Sequence, residues 1–374
     1  CGDSRGGASG APMTAGALRS VVLAGGGTAG HVSPMLALAD ELTRRNPGVA
    51  VTCVGTETGL EARIVPERGY PLAMIPRVPL PRRPSMDLVR LPGRMSQAVR
   101  TAARILDESD AQVAVGFGGY VSTPVYLAAR RRGIPIVVHE QNARPGLANR
   151  VGARCARSVA VTFPGTSLPG AVVTGMPLRR EIAALDRAQL RDEARRFFGL
   201  GEGTVLLVTG GSLGAQRLND AFAASAEDLS AAGVSVLHAT GRGKGFVPPT
   251  VSGAPYVVVE YLDRMDLAYA AADVVVARAG ASTVCELTAV GLPAIYVPLA
   301  IGNGEQRLNA EGVVRSGGGL MVENAAFTAQ WIRQTLLPLL LDDAALARLG
   351  AASAAAGVRD GDTLLASMVE GAIQ

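Results

Sequence analysis

Only three histidines occur in the 374 residues, and one of them closes a glycine run, Gly25-Gly26-Gly27-Thr28-Ala29-Gly30-His31. Small residues let a backbone approach a ligand closely, and the free N–H groups where a helix begins attract anions. The run does not match G-x-x-x-x-G-K-[ST], so a P-loop ATPase is disfavoured. A second run, Gly210–Ala215 (GGSLGA), stands in the other half of the chain. A third stretch, Arg278–Glu286 (RAGASTVCE), is expected to open a helix that Ser282 and Thr283 cap, with Glu286 one turn in on the Ser282 face. Such a helix start suits a pyrophosphate, and an ionised carboxylate can accept from both hydroxyls of a ribose. A glutamate near a helix start also answers the helix dipole, and the residues alone leave both roles open. His31 likewise reads either as a general base near neutral pH or as a partner of a phosphate or of its own helix cap. Two glycine loops with a histidine point to a cleft for a phosphorylated ligand.

The elements that must position these groups alternate between short apolar runs and amphipathic helices, the pattern of βαβ units with parallel sheets. Strands are expected at Ser20–Ala24, Val49–Gly55, Val113–Gly116, Ile134–His139 and Val172–Thr174, then at Val205–Thr209, Val234–Ala239, Tyr256–Glu260, Asp273–Ala277 and Ala294–Val297. Met35, Leu38, Ala39 and Leu42 share one face of the helix after the first loop. A single helix is expected over Arg217–Ala232. Both halves thus begin with strand, glycine turn and helix. The expected fold is α/β, with two doubly wound parallel-sheet domains facing a cleft and ligands at the carboxyl ends of their strands. The domain reading is 1–17 as an extension outside the fold (Met13 being the more natural start), 18–177, 178–356, and a final helix in 357–374. Residues 164–180 are the linker. Periodicity leaves open which domain the last helix joins.

Composition agrees. Hydrophobic residues make up 48% and charged residues 18%, which excludes a disordered chain. The 46 glycines show no Gly-X-Y period. Four cysteines lie far apart without C-x-x-C pairs, so neither a disulfide framework nor a zinc site is expected. No apolar run reaches the length of a membrane span. The net charge of +4 carries no nucleic-acid signature, and Lys244 is the only lysine.

Six motifs resemble one family: GGTAGH (26–31), GFGGYVS (116–122), HEQN (139–142), GGSLGAQRLN (210–219), RAGASTVCELTAVGLPAIYVPL (278–299) and EQRLNAE (305–311). In this order they are similar to the MurG family of UDP-N-acetylglucosamine transferases, which convert lipid I to lipid II in peptidoglycan synthesis. The resemblance implies the GT-B architecture, with an N-terminal acceptor domain that meets the membrane and a C-terminal domain for UDP-GlcNAc. It places Gly27, Thr28 and Ala29 at the donor cleft, the family having glycine where Ala29 stands. Asn142 and Gln306 fall at the donor sugar, Arg179 on the donor, Ser212 at the pyrophosphate and Leu262 at uracil. The helix start Ala281, Ser282, Thr283, Val284, Cys285 and Glu286 holds phosphate, with Glu286 on the ribose. His139, Glu140 and Tyr120 fall on the acceptor side. His238 lies in a predicted strand and reads as structural.

The implied reaction is attack of the muramyl 4-hydroxyl on the donor's anomeric carbon with inversion, with His31 as the first candidate for the base. No cofactor is implied, and without a D-x-D near the loops no metal is either. The expected partners are UDP-GlcNAc, lipid I, an anionic membrane surface at the cytoplasmic face and a cell-wall synthesis complex. Residues 78–104 interleave Arg82, Arg83, Arg90, Arg94, Arg100 and Arg104 with Leu80, Met86, Leu88, Val89, Leu91 and Met95, which suits an anionic lipid surface; a solvated arginine-rich helix is the alternative. An NAD-dependent oxidoreductase could use Glu57 as its acidic residue about 20 positions past the first loop, but it leaves the second loop and Glu286 without a task. Another GT-B glycosyltransferase should lack HEQN and GGYVS, and a membrane scaffold would tolerate degraded loops.

Overall fold

The computed structural model describes residues 17–78, 86–211, 214–247, 250–299 and 304–374, with backbone alone for 86–90. The side chains of Leu80, Arg82, Arg83, Met86, Leu88, Val89 and Arg90, and all of Ser212, therefore lie outside the described residues. Seven strands form the first sheet: β1 (Ser20–Ala24), β2 (Ala50–Gly55), β3 (Leu72–Met74), β4 (Val113–Gly116), β5 (Ile136–Glu140), β6 (Ser158–Val161) and β7 (Ala171–Val173). All pairs are parallel, in the order β3-β2-β1-β4-β5-β6-β7. The second sheet holds β8 (Val205–Thr209), β9 (Ser235–Ala239), β10 (Tyr256–Val259), β11 (Val274–Ala277), β12 (Ala294–Tyr296) and β13 (Gly319–Met321), parallel in the order β10-β9-β8-β11-β12-β13. In each sheet the chain reverses its winding next to the first strand, leaving a crevice at the carboxyl ends beside β1 and β8.

Strands buried on both faces must be apolar throughout. β1 is SVVLA and β8 is VLLVT, and both are fully buried. Helix α1 (Ala29–Arg45) covers one face of the first sheet with Met35, Leu38, Ala39 and Leu42, all 0% exposed. Helices α2 (Glu61–Glu67), α3 (Met86–Glu108) and α4 (Gly119–Arg132) complete the flanks that matter for the cleft. The helix expected over 217–232 is instead two, Gln216–Ala223 and Ala226–Ala231. At the break, the buried Ser225 hydroxyl bonds back to Ala221 O (3.0 Å), a local alternative to the helical ladder. β3, β6 and β13, of three or four residues, are additions to the expected strands.

The C-terminal helix (Gly361–Ala372) returns to the first sheet. Leu365, Ala366, Val369 and Ala372 join the core formed by Val21, Leu23, Leu38 and Val115. Arg45 fastens it, with Nη1 3.1 Å from Glu370 Oε2, Nη2 donating to Thr363 O (2.9 Å) and Nε to Glu41 Oε1 (2.7 Å). Asn46 Nδ2 also donates to Glu370 (2.9 Å). The chain therefore passes between the two sheets twice, and the passages touch: a methyl at Gly175 would lie 2.6 Å from Val358, and one at Gly361 2.5 Å from Met176 O.

Arg45→Ala leaves Glu41 and Glu370 without their shared cation, at a cost of about 1–3 kcal/mol. Hydrogen exchange of the Gly361–Ala372 amides should then quicken roughly ten- to hundredfold, with β8 to β13 unaffected. Unchanged protection of this helix would show that apolar packing alone holds it.

Candidate active site

The first glycine loop joins β1 to α1. Gly27 has φ of +91°, a conformation that side chains disfavour. Its N–H donates to Glu61 Oε2 (2.9 Å). Thr28 is extended at the helix start, and its carbonyl receives the N–H groups of His31 and Val32 (3.1 and 3.2 Å). Its hydroxyl lies 3.0 Å from His31 Nδ1, leaving Nε2 for the cleft. The surrounding protein strips water from the ring and lowers the pKa of His31 below its usual 6.5, although the charge of Glu61 and a bond to Gly26 oppose this.

The GFGGYVS turn packs directly on that loop. Gly119 has φ of +74°, and a methyl on it would meet Gly26 O at 2.7 Å. A methyl on Gly118 would lie 3.4 Å from His31 Nε2. Ser122 Oγ accepts from Gly118 N–H (3.0 Å) and donates to Ala24 O (2.9 Å), tying the turn to the end of β1. Tyr120 has its hydroxyl 3.0 Å from Thr56 Oγ1 and the Arg77 guanidinium over its ring.

β5 delivers HEQN to the same end of the sheet. His139, placed on the acceptor side by the resemblance, lies buried beneath the cavity and not in its lining. It is 0% exposed, its Nδ1 accepts from Gln141 Nε2 (3.1 Å), and its Nε2 therefore carries the proton that Gly175 O accepts (3.0 Å). Burial pushes its pKa down to about 4, so it is a neutral brace beneath the crossover. Glu140 shapes the loop that follows, accepting from Asn142 N, Gly146 N (both 2.9 Å) and Asn149 Nδ2 (3.0 Å). Burial raises the pKa of this carboxyl while those donors oppose it. His31, Tyr120, Glu140, Asn142 and Arg144 line a cavity of about 830 Å³, to which the second domain adds Glu305.

Sequence reading passed over Asn309, inside EQRLNAE. Buried at the junction, it accepts from Ala143 N (2.9 Å) and donates to Asn142 Oδ1 (3.2 Å), clamping the HEQN loop to the second domain. Its place in a motif was the available signal. Gln306, one turn earlier in the Glu305–Arg315 helix, accepts from Leu299 N (2.9 Å) and so anchors the approach to that helix.

A second cavity, of about 320 Å³, sits at the carboxyl ends of β8, β9, β10 and β11. The Ala281–Ala289 helix opens into it with no side chain capping its first turn. Ser282 Oγ is buried there with no hydrogen-bond partner. Unclaimed N–H groups and an orphaned hydroxyl together are suited to an anion. Beside it Glu286 accepts from Tyr269 Oη (2.7 Å) and lies 3.8 Å from Arg179 Nη2. Burial raises its pKa, against the pull of Arg179. Leu262, Ala281 and Thr283 complete this wall. Val284 and Cys285, expected here, face away into a separate cavity at the domain junction with Phe163 and Met176, because successive helical residues turn about 100°. Ala29, the first residue of α1, faces the 320 Å³ cavity together with Gly30 and Ser33, whereas Gly27 and Thr28 build the loop behind it.

One helical turn therefore separates the two cavities. Ala29, Gly30 and Ser33 face the smaller cavity, and His31 faces the larger cavity. This arrangement is able to hold an anionic donor and a nucleophile on opposite sides of the first turn of α1.

The chain matches the glycosyltransferase family 28 N-terminal domain over residues 21–161 and the C-terminal domain of that family over 205–365. A UDP-N-acetylglucosamine–N-acetylmuramyl-(pentapeptide) pyrophosphoryl-undecaprenol N-acetylglucosamine transferase of Nocardioides sp. is 57% identical, over 93% of this chain and 97% of the relative. The Streptomyces coelicolor protein of the same name is 56% identical, over 94% and 98%. The crystal structure of MurG from Acinetobacter baumannii is 27% identical and superposes with a TM-score of 0.77, covering 94% of this chain and 99% of that one. The calicheamicin glycosyltransferase CalG4, 19% identical with a TM-score of 0.63 over 95% and 98%, shares the fold. This chain belongs to glycosyltransferase family 28, in the MurG family of N-acetylglucosamine transferases.

Proposed function

We propose that this glycosyltransferase moves N-acetylglucosamine from UDP-GlcNAc to the muramyl 4-hydroxyl of undecaprenyl-pyrophosphoryl-MurNAc-pentapeptide, making lipid II from lipid I for peptidoglycan. The observation that carries the mechanism is the single turn of α1 between the two cavities. UDP occupies the anion site, with pyrophosphate at Ser282 and the start of the Ala281–Ala289 helix and the ribose on Glu286. The acceptor sugar lies in the larger cavity, and its 4-hydroxyl approaches His31 Nε2.

For Nε2 to take a proton, the neutral ring must carry its hydrogen on Nδ1, and Thr28 Oγ1 stands 3.0 Å away to accept it. The oxygen attacks the anomeric carbon as the carbon–oxygen bond to UDP breaks, and the configuration inverts. Charge gathering on the departing diphosphate meets N–H groups already oriented by the helix, so little reorganisation is needed.

The lipid tail calls for a membrane, and no described helix is long and apolar enough to cross one. We assign the membrane contact to the face of α3. Met95 of α3 lines the acceptor cavity, and Arg94, Arg100 and Arg104 share this helix. That continuity supports peripheral docking at the cytoplasmic leaflet, within reach of other cell-wall enzymes.

His31→Ala should lower kcat by roughly 10²–10⁴-fold, the usual worth of a positioned base, while the KM for UDP-GlcNAc stays within about twofold. Neutral imidazole is the active form, so activity falls as pH drops through a pKa held below 6.5. A kcat/KM profile whose acid limb has its midpoint at or above 6.5 would contradict the environment described for His31.

Glu286→Ala removes charge-assisted bonds worth about 1.5–3 kcal/mol. Calorimetry with UDP should then show binding weakened roughly ten- to hundredfold, and an unchanged affinity would remove the ribose assignment.

Co-sedimentation with vesicles should increase with their anionic lipid fraction and decrease with salt. Binding indifferent to both would rule out α3 as an electrostatic membrane face.

A further inference from the structure

Glu61 is a carboxylate that the mechanism above leaves unused. It stands at the first residue of α2 with 0% exposure, an expensive place for a charge. Its Oε2 accepts from Gly27 N (2.9 Å), and its Oε1 from Thr56 N (3.0 Å) and Thr56 Oγ1 (3.1 Å). All three donors are neutral. Space has been cleared around it, since a methyl on Gly26, Gly55 or Gly59 would come within 2.5 Å of its side chain. Three glycines of two loops thus close over one carboxylate.

From this carboxylate two chains of contacts lead into the active site. One runs through Gly27 N–H to the loop whose next residue, Thr28, holds His31 Nδ1 (3.0 Å). The other runs through Thr56 Oγ1 to Tyr120 Oη (3.0 Å). The second has a fixed direction. A hydroxyl has one hydrogen, and Thr56 gives its own to Glu61, so Tyr120 must donate to Thr56. Tyr120 then offers only lone pairs to the acceptor cavity, and the substrate group that meets it must be a donor, a hydroxyl or an amide N–H.

We propose that Glu61 is a positioning residue that fixes two groups at once, the His31 loop through Gly27 and the acceptor-only state of Tyr120 through Thr56. The inference rests on the reading of His31 as the base. A carboxylate is suited to this task because it takes three donors without offering a hydrogen of its own. An amide at Glu61 would turn an N–H against either Gly27 or Thr56. The negative charge also favours the imidazolium that His31 becomes after accepting the proton.

The test is a double-variant cycle on the full-length enzyme, with UDP-GlcNAc and a lipid I analogue carrying a shortened prenyl chain. Glu61→Gln should lower kcat by roughly tenfold or more in the wild-type background and by less than about threefold in the His31→Ala background. A role in overall folding would cost the same factor in both backgrounds, and that result overturns the His31 branch. His31→Ala alone reports on the base, so a failure of that reading is seen separately. Thr56→Val cuts only the second branch and leaves two of the three Glu61 bonds in place. It should raise the KM for the lipid I analogue about fivefold or more and leave the KM for UDP-GlcNAc unchanged. An unaltered acceptor KM overturns the Tyr120 branch, and Thr56→Val decides the proposal if Glu61→Gln does not fold.

Discussion

The cleft depends on one backbone contact, in which Gly119 meets the carbonyl of Gly26 with no room for a methyl between them. Two loops that follow adjacent strands, β1 and β4, can approach this closely only if neither carries a side chain at the crossing. The approach sets His31 beside Gly118 and turns the first residues of α1 toward the second domain. A larger residue at either place would push α1 away from β4 and separate the two cavities that its first turn now divides.

Around that contact the two sheets are held by interactions distant in sequence. Asn309 joins the HEQN loop to the second domain at the cleft. The paired crossovers near Gly175 and Gly361 join the domains on the far side. A relative rotation of the sheets would thus concentrate its torsion at two neighbouring strands of backbone while breaking few bonds at Asn309. His139 supports this hinge directly, because its proton goes to Gly175 O. HEQN consequently has two tasks, its histidine bracing the crossover and its asparagine facing the cleft.

The sequence made the chemistry of the site readable wherever residue type and local spacing were enough. The strand–glycine–helix openings and the one-turn offset to Glu286 are short-range features, whereas the cap expected from Ser282 and Thr283 is absent, the helix starting at Gly280 without a side-chain cap. Burial was not readable. His139 lies at the carboxyl end of β5 and His31 in the first turn of the helix that follows β1, two strands of the same sheet. Only the register of β5 against β6 and the path of the crossover put one in the core and the other at the cavity. Glu61 belongs to none of the motifs, and its partners Gly27 and Thr56 come from separate loops. The Arg45–Glu370 pair joins residues 325 positions apart, which no periodicity reports. Val284 and Cys285 were taken into the donor wall because the motif is contiguous, while the helix turns them elsewhere.

Desolvation gives the site its electrical character. It lowers the pKa of His31 and raises that of Glu286, so both groups are drawn toward their neutral forms at opposite walls of the cleft. The second domain presents the dipoles of a helix start and the unpartnered Ser282 hydroxyl. Such groups respond most to charge that appears close to them, which is the charge released as the bond to UDP breaks. Arg179, 3.8 Å from Glu286, is already engaged with that carboxylate and with Glu181, so its field at the diphosphate is reduced. In the proposed reaction these dipoles stabilise the nucleotide as its charge develops on departure.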